Sequence, residues 1–124
     1  MTLENVVWPE ANGVYKAVQF LVDGQPYIRS LKFGEGSHIG IVKAFANEIC
    51  AKTKMDDSEL MRFVNQDNHK IVGMGKFELK LEENLAEFFG VSADYVMRIN
   101  KKHLKLIQSL YPNIRISYNA TRLQ

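Results

Sequence analysis

Two stretches near the N-terminus are rich in β-branched and aromatic residues and are separated by a short turn that contains Asp and Gly. The first stretch spans residues 14–22 and the second spans residues 26–33. Two such runs around a short Asp-Gly turn are typical of a β-hairpin. Two glycines within residues 34–36 then interrupt the pattern, so the sequence predicts a pair of strands followed by a glycine turn.

An apolar stripe at helical spacing follows the glycine turn. The positions that recur three or four residues apart are Val42, Phe45, Ala46, Ile49 and Cys50. Ser37 precedes them, and a serine at this place commonly accepts a hydrogen bond from the N–H groups of the first helical turn. The pattern predicts an amphipathic helix over about residues 38–54, with Ser37 as its N-cap.

The second half of the chain predicts five more elements. Residues 59–65 and 69–81 predict a second hairpin, whose two glycines mark a bulge or a close approach by another group. Residues 82–111 predict two helices separated by a Gly-Val-Ser turn. Residues 113–119 alternate apolar and polar positions, which indicates a half-buried strand.

Strands interleaved with helices indicate a sheet covered by helices, in the α+β or mixed α/β class. The predicted order is ββαββααβ, with a mixed sheet of about five to six strands. The 124 residues are enough for one core, so we expect a single domain over residues 1–124. Six phenylalanines are expected in that core rather than against a substrate: Phe20, Phe45, Phe63, Phe77, Phe88 and Phe89.

Composition and charge narrow the function classes. The apolar share of 46% and the charged share of 24% are those of ordinary folded proteins. The sequence contains neither a membrane-spanning apolar stretch nor the basic N-terminal cluster of a signal peptide. A net charge of +2 is too small to indicate nucleic acid binding. We therefore expect a cytoplasmic protein with no membrane partner.

The cysteine and histidine content indicates the redox compartment of the protein and whether it can bind a metal ion. The single cysteine, Cys50, cannot form an internal disulfide, which suits a reducing compartment, and we expect it to be a small buried residue. Three scattered histidines (His38, His69 and His103) and one cysteine lack the paired spacing of structural zinc sites. The chain also has no carboxylate cluster of the kind that holds magnesium, so we expect neither metal nor cofactor.

The glycine turn and the predicted helix start form the leading candidate site. The first N–H groups of a helix have no carbonyl partner, and the helix dipole adds partial positive charge there. A phosphate or carboxylate would meet backbone donors from Ser37 through Ile39 to Gly40. His38 could exchange a proton with that group or attack phosphorus directly. The alternative is an exposed first-turn histidine without a role.

Three cations in the predicted strands could complete this site. Lys16 and Arg29 lie on strands that should pair, and Lys32 directly precedes the glycine turn. Charged side chains in strands point to solvent or toward a ligand, so the three could form a basic rim around an anion. The alternative is a solvated face of the sheet.

Residues 85–96 offer a minor alternative. A helix, a Gly-Val-Ser turn and a second helix resemble the DNA-binding stretch of small bacterial repressor domains. Such domains need further helices upstream, whereas the upstream chain here is strand-like. DNA binding is therefore the least favoured interpretation.

Several short segments carry a wider resemblance: Gly13-Val14-Tyr15-Lys16, Ile28-Arg29, Lys32-Phe33, Glu35 before His38, Lys70-Ile71, Lys105 to Leu110-Tyr111-Pro112, and Tyr118-Asn119-Ala120. In their order and spacing they resemble the janus/ocnus-type phosphohistidine phosphatases, over about residues 13–80 and 103–120. The resemblance implies a metal-independent phosphatase acting on phosphohistidine, with phospholysine as an alternative substrate, in a phosphorylated protein or peptide. It implies His38 as nucleophile or general base, Lys16 as a phosphoryl contact, and N–H groups of His38 and Ile39 as donors to phosphate oxygens.

The chain departs from the family pattern in three places. It has one extra residue between Arg29 and His38, and the family's phosphate-binding serine falls near Phe77, with Lys76 beside it. Residues 82–102 are expected to be a helical insertion, which could serve as a lid, a homodimer contact or a new binding surface. An alternative function is a non-catalytic module that keeps the anion site and binds a phosphorylated partner.

Overall fold

The computed structural model describes residues 4–49, 69–93 and 95–123. In chain order the elements are β1 (Gly13–Val22), β2 (Gln25–Lys32), α1 (His38–Ile49), β3 (His69–Lys80), a 3-10 helix (Leu81–Glu83), β4 (Leu85–Phe89), β5 (Val91–Ser92), β6 (Met97–Arg98), α2 (Lys101–Leu110) and β7 (Arg115–Tyr118). They form one domain with a mixed sheet and flanking helices, which confirms the predicted fold class.

The main sheet has the strand order β2-β1-β3-β4-β7. Its first three pairings are antiparallel, and β4 pairs with β7 in parallel. β1 and β2 form the predicted hairpin, whose turn residues Asp23 and Gly24 have φ of 51° and 79°. Positive φ at both positions matches the right-handed twist of the strands and explains the Asp-Gly pair. β5 and β6 pair separately as a small hairpin.

The two glycines of β3, Gly73 and Gly75, meet both of the predicted requirements. The β1–β3 register shifts after Gln19, which leaves Val72 as an extra residue and forms a bulge. A Cβ on Gly73 would overlap the side-chain oxygen of Gln19, and one on Gly75 would lie 2.7 Å from the carbonyl oxygen of Phe89. Neighbouring groups therefore approach this strand at distances that only glycine permits.

Each face of the sheet carries one helix. Under α1 the buried cluster comprises Val18, Phe20, Ile41, Val42, Phe45, Ala46, Ile71 and Met74. On the opposite face the cluster under α2 includes Tyr15, Ala17, Ile28, Phe77, Leu79, Ala86, Phe88, Leu104 and Ile107. Of the phenylalanines predicted in the core, those described are all fully buried: Phe20, Phe45, Phe77, Phe88 and Phe89. Phe63 and Cys50 lie outside the described residues.

The prediction of helices over residues 82–102 is wrong. Leu85–Phe89 forms β4, which lies inside the sheet between β3 and β7, and two further short strands follow it. Ala86 and Phe88 face the α2 side, whereas Glu87 points to the other face, so the segment alternates as a strand does. Pairing with strands on both sides has overridden a sequence compatible with a helix. The first helix of the DNA-binding stretch considered over residues 85–96 is therefore a strand.

The start of α2 differs from the prediction. α2 begins at Lys101, after the N-cap Asn100, whose side-chain oxygen accepts a hydrogen bond from His103 N at 3.0 Å. The second predicted helix was expected to begin directly after the Gly-Val-Ser turn, at residues 90–92, whereas residues 91–92 and 97–98 are short strands. The strand predicted over residues 59–65 and the end of the helix predicted over residues 38–54 lie outside the described residues.

Candidate functional site

The glycine turn between β2 and α1 is exposed and has a defined backbone conformation. Phe33 N donates to the carbonyl of Val14 at 2.9 Å, and Gly34 then turns the chain with φ of 92°. A left-handed φ of this size favours glycine. Gly40 N donates to Ser37 Oγ at 3.3 Å, which confirms Ser37 as the N-cap of α1. The turn therefore ends at the positive end of a capped helix.

His38 is the first residue of α1, and its side chain reaches β3. Its Nε2 lies 3.0 Å from the carbonyl oxygen of Gly75, and the residue is half-buried. Because a carbonyl oxygen can only accept, Nε2 carries the proton of this hydrogen bond. In the neutral ring the lone pair is then on Nδ1, which is the nitrogen able to act as base or nucleophile.

Two lysines lie directly opposite each other on the sheet face that α1 covers. Lys16 of β1 is in register with Lys76 of β3. The Nζ atoms lie 5.8 Å and 4.8 Å, respectively, from the centre of the Phe33 ring. Like charges directly opposite in a sheet repel each other, so an anion between them would lower the energy of the pair.

Two hydrogen bonds, one made by Lys16 and one made by His38, bring the lysine pair and the imidazole to the same part of the sheet. Lys16 Nζ donates to the carbonyl of Gly36 at 2.7 Å, within the turn that leads into His38. The residue that accepts from His38, Gly75, is the neighbour of Lys76 in β3. We refer to Lys16, Phe33, His38 and Lys76 as the two-lysine site. It combines two cations, one imidazole and the amino end of a helix, a set suited to a phosphoryl group.

Arg29 is placed away from this site. Its side chain lies under α1, where Nε donates to Glu48 Oε2 at 2.8 Å and the guanidinium lies 4.9 Å from the Phe45 ring. Its other N–H groups donate to the carbonyls of Glu4, Asn5 and Ile28. Arg29 is only 7% exposed, so these contacts hold the fold together and the predicted basic rim loses this member.

Lys32 and Phe77 also face away from His38. Lys32 is in register with Tyr15, whose side chain belongs to the α2 face, so Lys32 projects from the opposite face to Lys16. Phe77 is fully buried on that same face and stacks on Tyr15, with ring centres 5.4 Å apart. It cannot replace a phosphate-binding serine, whereas its neighbour Lys76 lies on the correct face.

Sequence reasoning missed the roles of Phe33 and Gly75. Phe33 is 52% exposed and contacts both lysines through its ring, and Gly75 supplies the carbonyl that holds His38. The Gly-Met-Gly-Lys run of β3 marked a close approach there. A carbonyl that accepts from a histidine 37 residues earlier leaves no mark in the sequence.

The structure and the sequence also bear on metal binding, on membrane spanning and on similarity to known proteins. Within residues 4–49, 69–93 and 95–123, no group of three or more His, Cys, Asp or Glu side chains could hold a metal ion. No helix in these ranges has both the length and the apolar character to cross a membrane. The chain matches no protein-family model, and a search of curated proteins finds no significant match.

Proposed function

We propose that the protein is a metal-independent phosphatase that removes phosphate from phosphohistidine in proteins. The observation that carries this proposal is the position of His38, which is held through Nε2 by the Gly75 carbonyl beside the opposed lysines. Phosphoryl transfer needs a nucleophile or base together with positive charge around the phosphoryl oxygens. The two-lysine site provides both.

The reaction can proceed in either of two ways at His38. In the first, Nδ1 attacks phosphorus, the P–N bond to the substrate histidine breaks, and the substrate imidazole leaves with a proton from water. Water then hydrolyses the phosphohistidine formed at His38 and releases inorganic phosphate. In the second, Nδ1 takes a proton from a water molecule as that water attacks phosphorus, the P–N bond to the substrate histidine breaks, and the proton then passes from Nδ1 to the leaving imidazole. Lys16 and Lys76 neutralise charge on the phosphoryl oxygens in both.

The helix start supports either route. Backbone N–H groups of residues 37–39 lie at the positive end of α1, where they can donate to phosphoryl oxygens, whereas the Gly40 N–H, also predicted as a donor, is taken by Ser37 Oγ. The same partial charge disfavours the imidazolium form of His38, by about 0.3–1 kcal/mol for a surface interaction.

Exposure of the site favours a macromolecular substrate. The glycine turn is exposed and Phe33 borders the lysines at the surface, so a phosphorylated side chain of another protein can enter without any opening of the fold. We therefore propose a phosphorylated protein or peptide as substrate. We place the activity in the cytoplasm, where a single cysteine stays reduced.

A non-catalytic binding module is the second candidate. This candidate is supported by the hydrogen bond from Lys16 Nζ to the Gly36 carbonyl, because that bond gives the turn a shape that could bind an anion without catalysis. A partner or a second copy could then use the β5–β6 hairpin, where Val96 is 91% exposed. The module would bind a phosphorylated ligand stoichiometrically without turnover.

The test is phosphate release from a phosphohistidine peptide in the presence of a metal chelator. We expect turnover by the wild type and a loss of about 10²–10³ in kcat/KM for Lys16→Met, the effect of removing one oxyanion donor. Lys105→Met, an exposed lysine of α2, is the matched control and should retain the wild-type rate. A folded wild type that binds the peptide without releasing phosphate would instead support the binding module.

A further inference from the structure

A second like-charged pair lies one row further along the same sheet face as the lysine pair. Glu78 of β3 and Glu87 of β4 are directly opposite each other. Glu78 is two residues from Lys76, so both side chains project from the α1 face. Two residues along a strand span about 7 Å, which makes these carboxylates natural counter-ions for the lysines.

Arg122 binds both glutamates. Its Nη1 donates to Glu78 Oε1 at 2.8 Å and to Glu87 Oε1 at 2.6 Å. The guanidinium also lies 3.9 Å from the centre of the Phe89 ring, and Phe89 is opposite Lys76 in the sheet. Arg122 therefore occupies the space between the glutamate row and the lysine row.

The backbone of the C-terminal segment holds Arg122 in this position. Gly90 N donates to the carbonyl of Arg122 at 3.2 Å, and Asn119 N donates to the carbonyl of Phe88 at 2.9 Å. These bonds tie residues 119–122 to the end of β4 independently of the guanidinium. A substitution of the Arg122 side chain should consequently leave the segment in place.

We propose that Arg122 is a positioning residue that keeps the lysine pair available to an anion by holding Glu78 and Glu87. The inference rests on the proposed anion site and adds a determinant of its affinity. The Arg122 guanidinium binds both carboxylates. Glu78 and Glu87 therefore do not pair with the lysines. Without Arg122, the carboxylates become competitors of phosphate for Lys76 and Lys16.

The experiment measures the Kd of inorganic phosphate by NMR titration at low, constant ionic strength. We expect Arg122→Gln to weaken binding about fivefold, since two carboxylates about 7 Å away lose their counter-ion. In the triple variant Arg122→Gln, Glu78→Gln, Glu87→Gln, affinity should return to within about twofold of the wild type, because the competitors are gone. A purely structural role for Arg122 would not be rescued in this way.

Arg115→Gln is the matched control, because it removes the same charge from the exposed end of β7. Equal losses in Arg122→Gln and Arg115→Gln would overturn the inference, as would a folded triple variant that binds as weakly as Arg122→Gln. A wild type that binds no phosphate at the lysines overturns it too. A wild type that binds phosphate but does not turn over contradicts the phosphatase proposal alone.

Discussion

A polar network on the α2 face of the sheet and the lysine pair on the α1 face are held in opposite ways. On the α2 face, Gln19 donates to His103 Nδ1 at 3.2 Å and accepts from Asn100 N at 2.7 Å, while His103 Nε2 donates to the carbonyl of Phe20 at 2.8 Å. On the α1 face, two lysines are directly opposed. A buried polar network with matched partners stabilises a fold, whereas opposed like charges cost stability and favour a ligand.

The two histidines illustrate this difference. Both donate from Nε2 to a strand carbonyl. The second nitrogen of His103 is occupied by the Gln19 amide, and the residue is only 2% exposed, so it serves the core. His38 is half-buried and is bonded to Gly75, the neighbour of Lys76 in β3, and the role we propose for it is chemical. The groups around each histidine, rather than the residue type, therefore distinguish the two roles.

The largest expected effect comes from the core of the α2 face. Phe77→Ala should lower the free energy of unfolding by about 3–5 kcal/mol, because it removes a fully buried ring. Phe33→Ala removes the half-exposed ring that both lysines contact, and it should change the free energy of unfolding by at most about 0.5 kcal/mol. The same change should weaken phosphate binding. Urea denaturation measures the first quantity. Equal destabilisation by Phe77→Ala and Phe33→Ala would contradict the distinction between the buried core and the two-lysine site.

The next effect is the dependence of stability on pH. Burial lowers the pKa of His103 below its ordinary value and outweighs the hydrogen bonds to the Phe20 and Tyr27 carbonyls. Below about pH 6.5 the unfolded chain then binds a proton that the folded protein does not, so stability falls as pH decreases, by up to about 1.4 kcal/mol per unit. Urea denaturation of wild type and His103→Gln between pH 7 and 5 tests this. An unchanged slope in the variant would refute it.

The smallest effect, and the most specific for the site, concerns Lys76. Lys76→Gln should raise the free energy of unfolding by about 0.2–1 kcal/mol, because it removes the repulsion with Lys16. The same change should slow phosphate release. Lys70→Gln, elsewhere on β3 and opposite Leu21, is the control and should change neither quantity appreciably. A destabilised Lys76→Gln variant would mean that the pair is not repulsive.

Local interactions explain what the sequence predicted well. The β1–β2 hairpin follows from an Asp-Gly turn, and the start of α1 follows from Ser37. β4 was missed because its strand conformation depends on pairing with strands on both sides, β3 and β7, and β7 is distant in the chain. The sequence of residues 85–89 contains no turn signal or strict polar alternation that would have revealed this.

The same distinction applies to the site. His38 could be predicted because it follows the glycine turn, and Lys16 because a charged residue in a predicted strand points to solvent or to a ligand; its Nζ donates to the Gly36 carbonyl of that turn. Arg29 was placed in the site because a charged residue in a strand suggests exposure, whereas Glu48 of α1 covers it. Arg122 was missed because its partners lie 44 and 35 residues away in the chain.

The most direct test of the account is phosphate release from a phosphohistidine peptide by wild type, His38→Ala and His69→Ala, each with a metal chelator present. His69 begins β3 and is opposite Val22, at the end of the sheet away from the glycine turn, so it is the matched histidine control. We expect turnover by wild type and His69→Ala and none above background by a folded His38→Ala. A His38→Ala variant that releases phosphate at the wild-type rate would contradict the central role of His38.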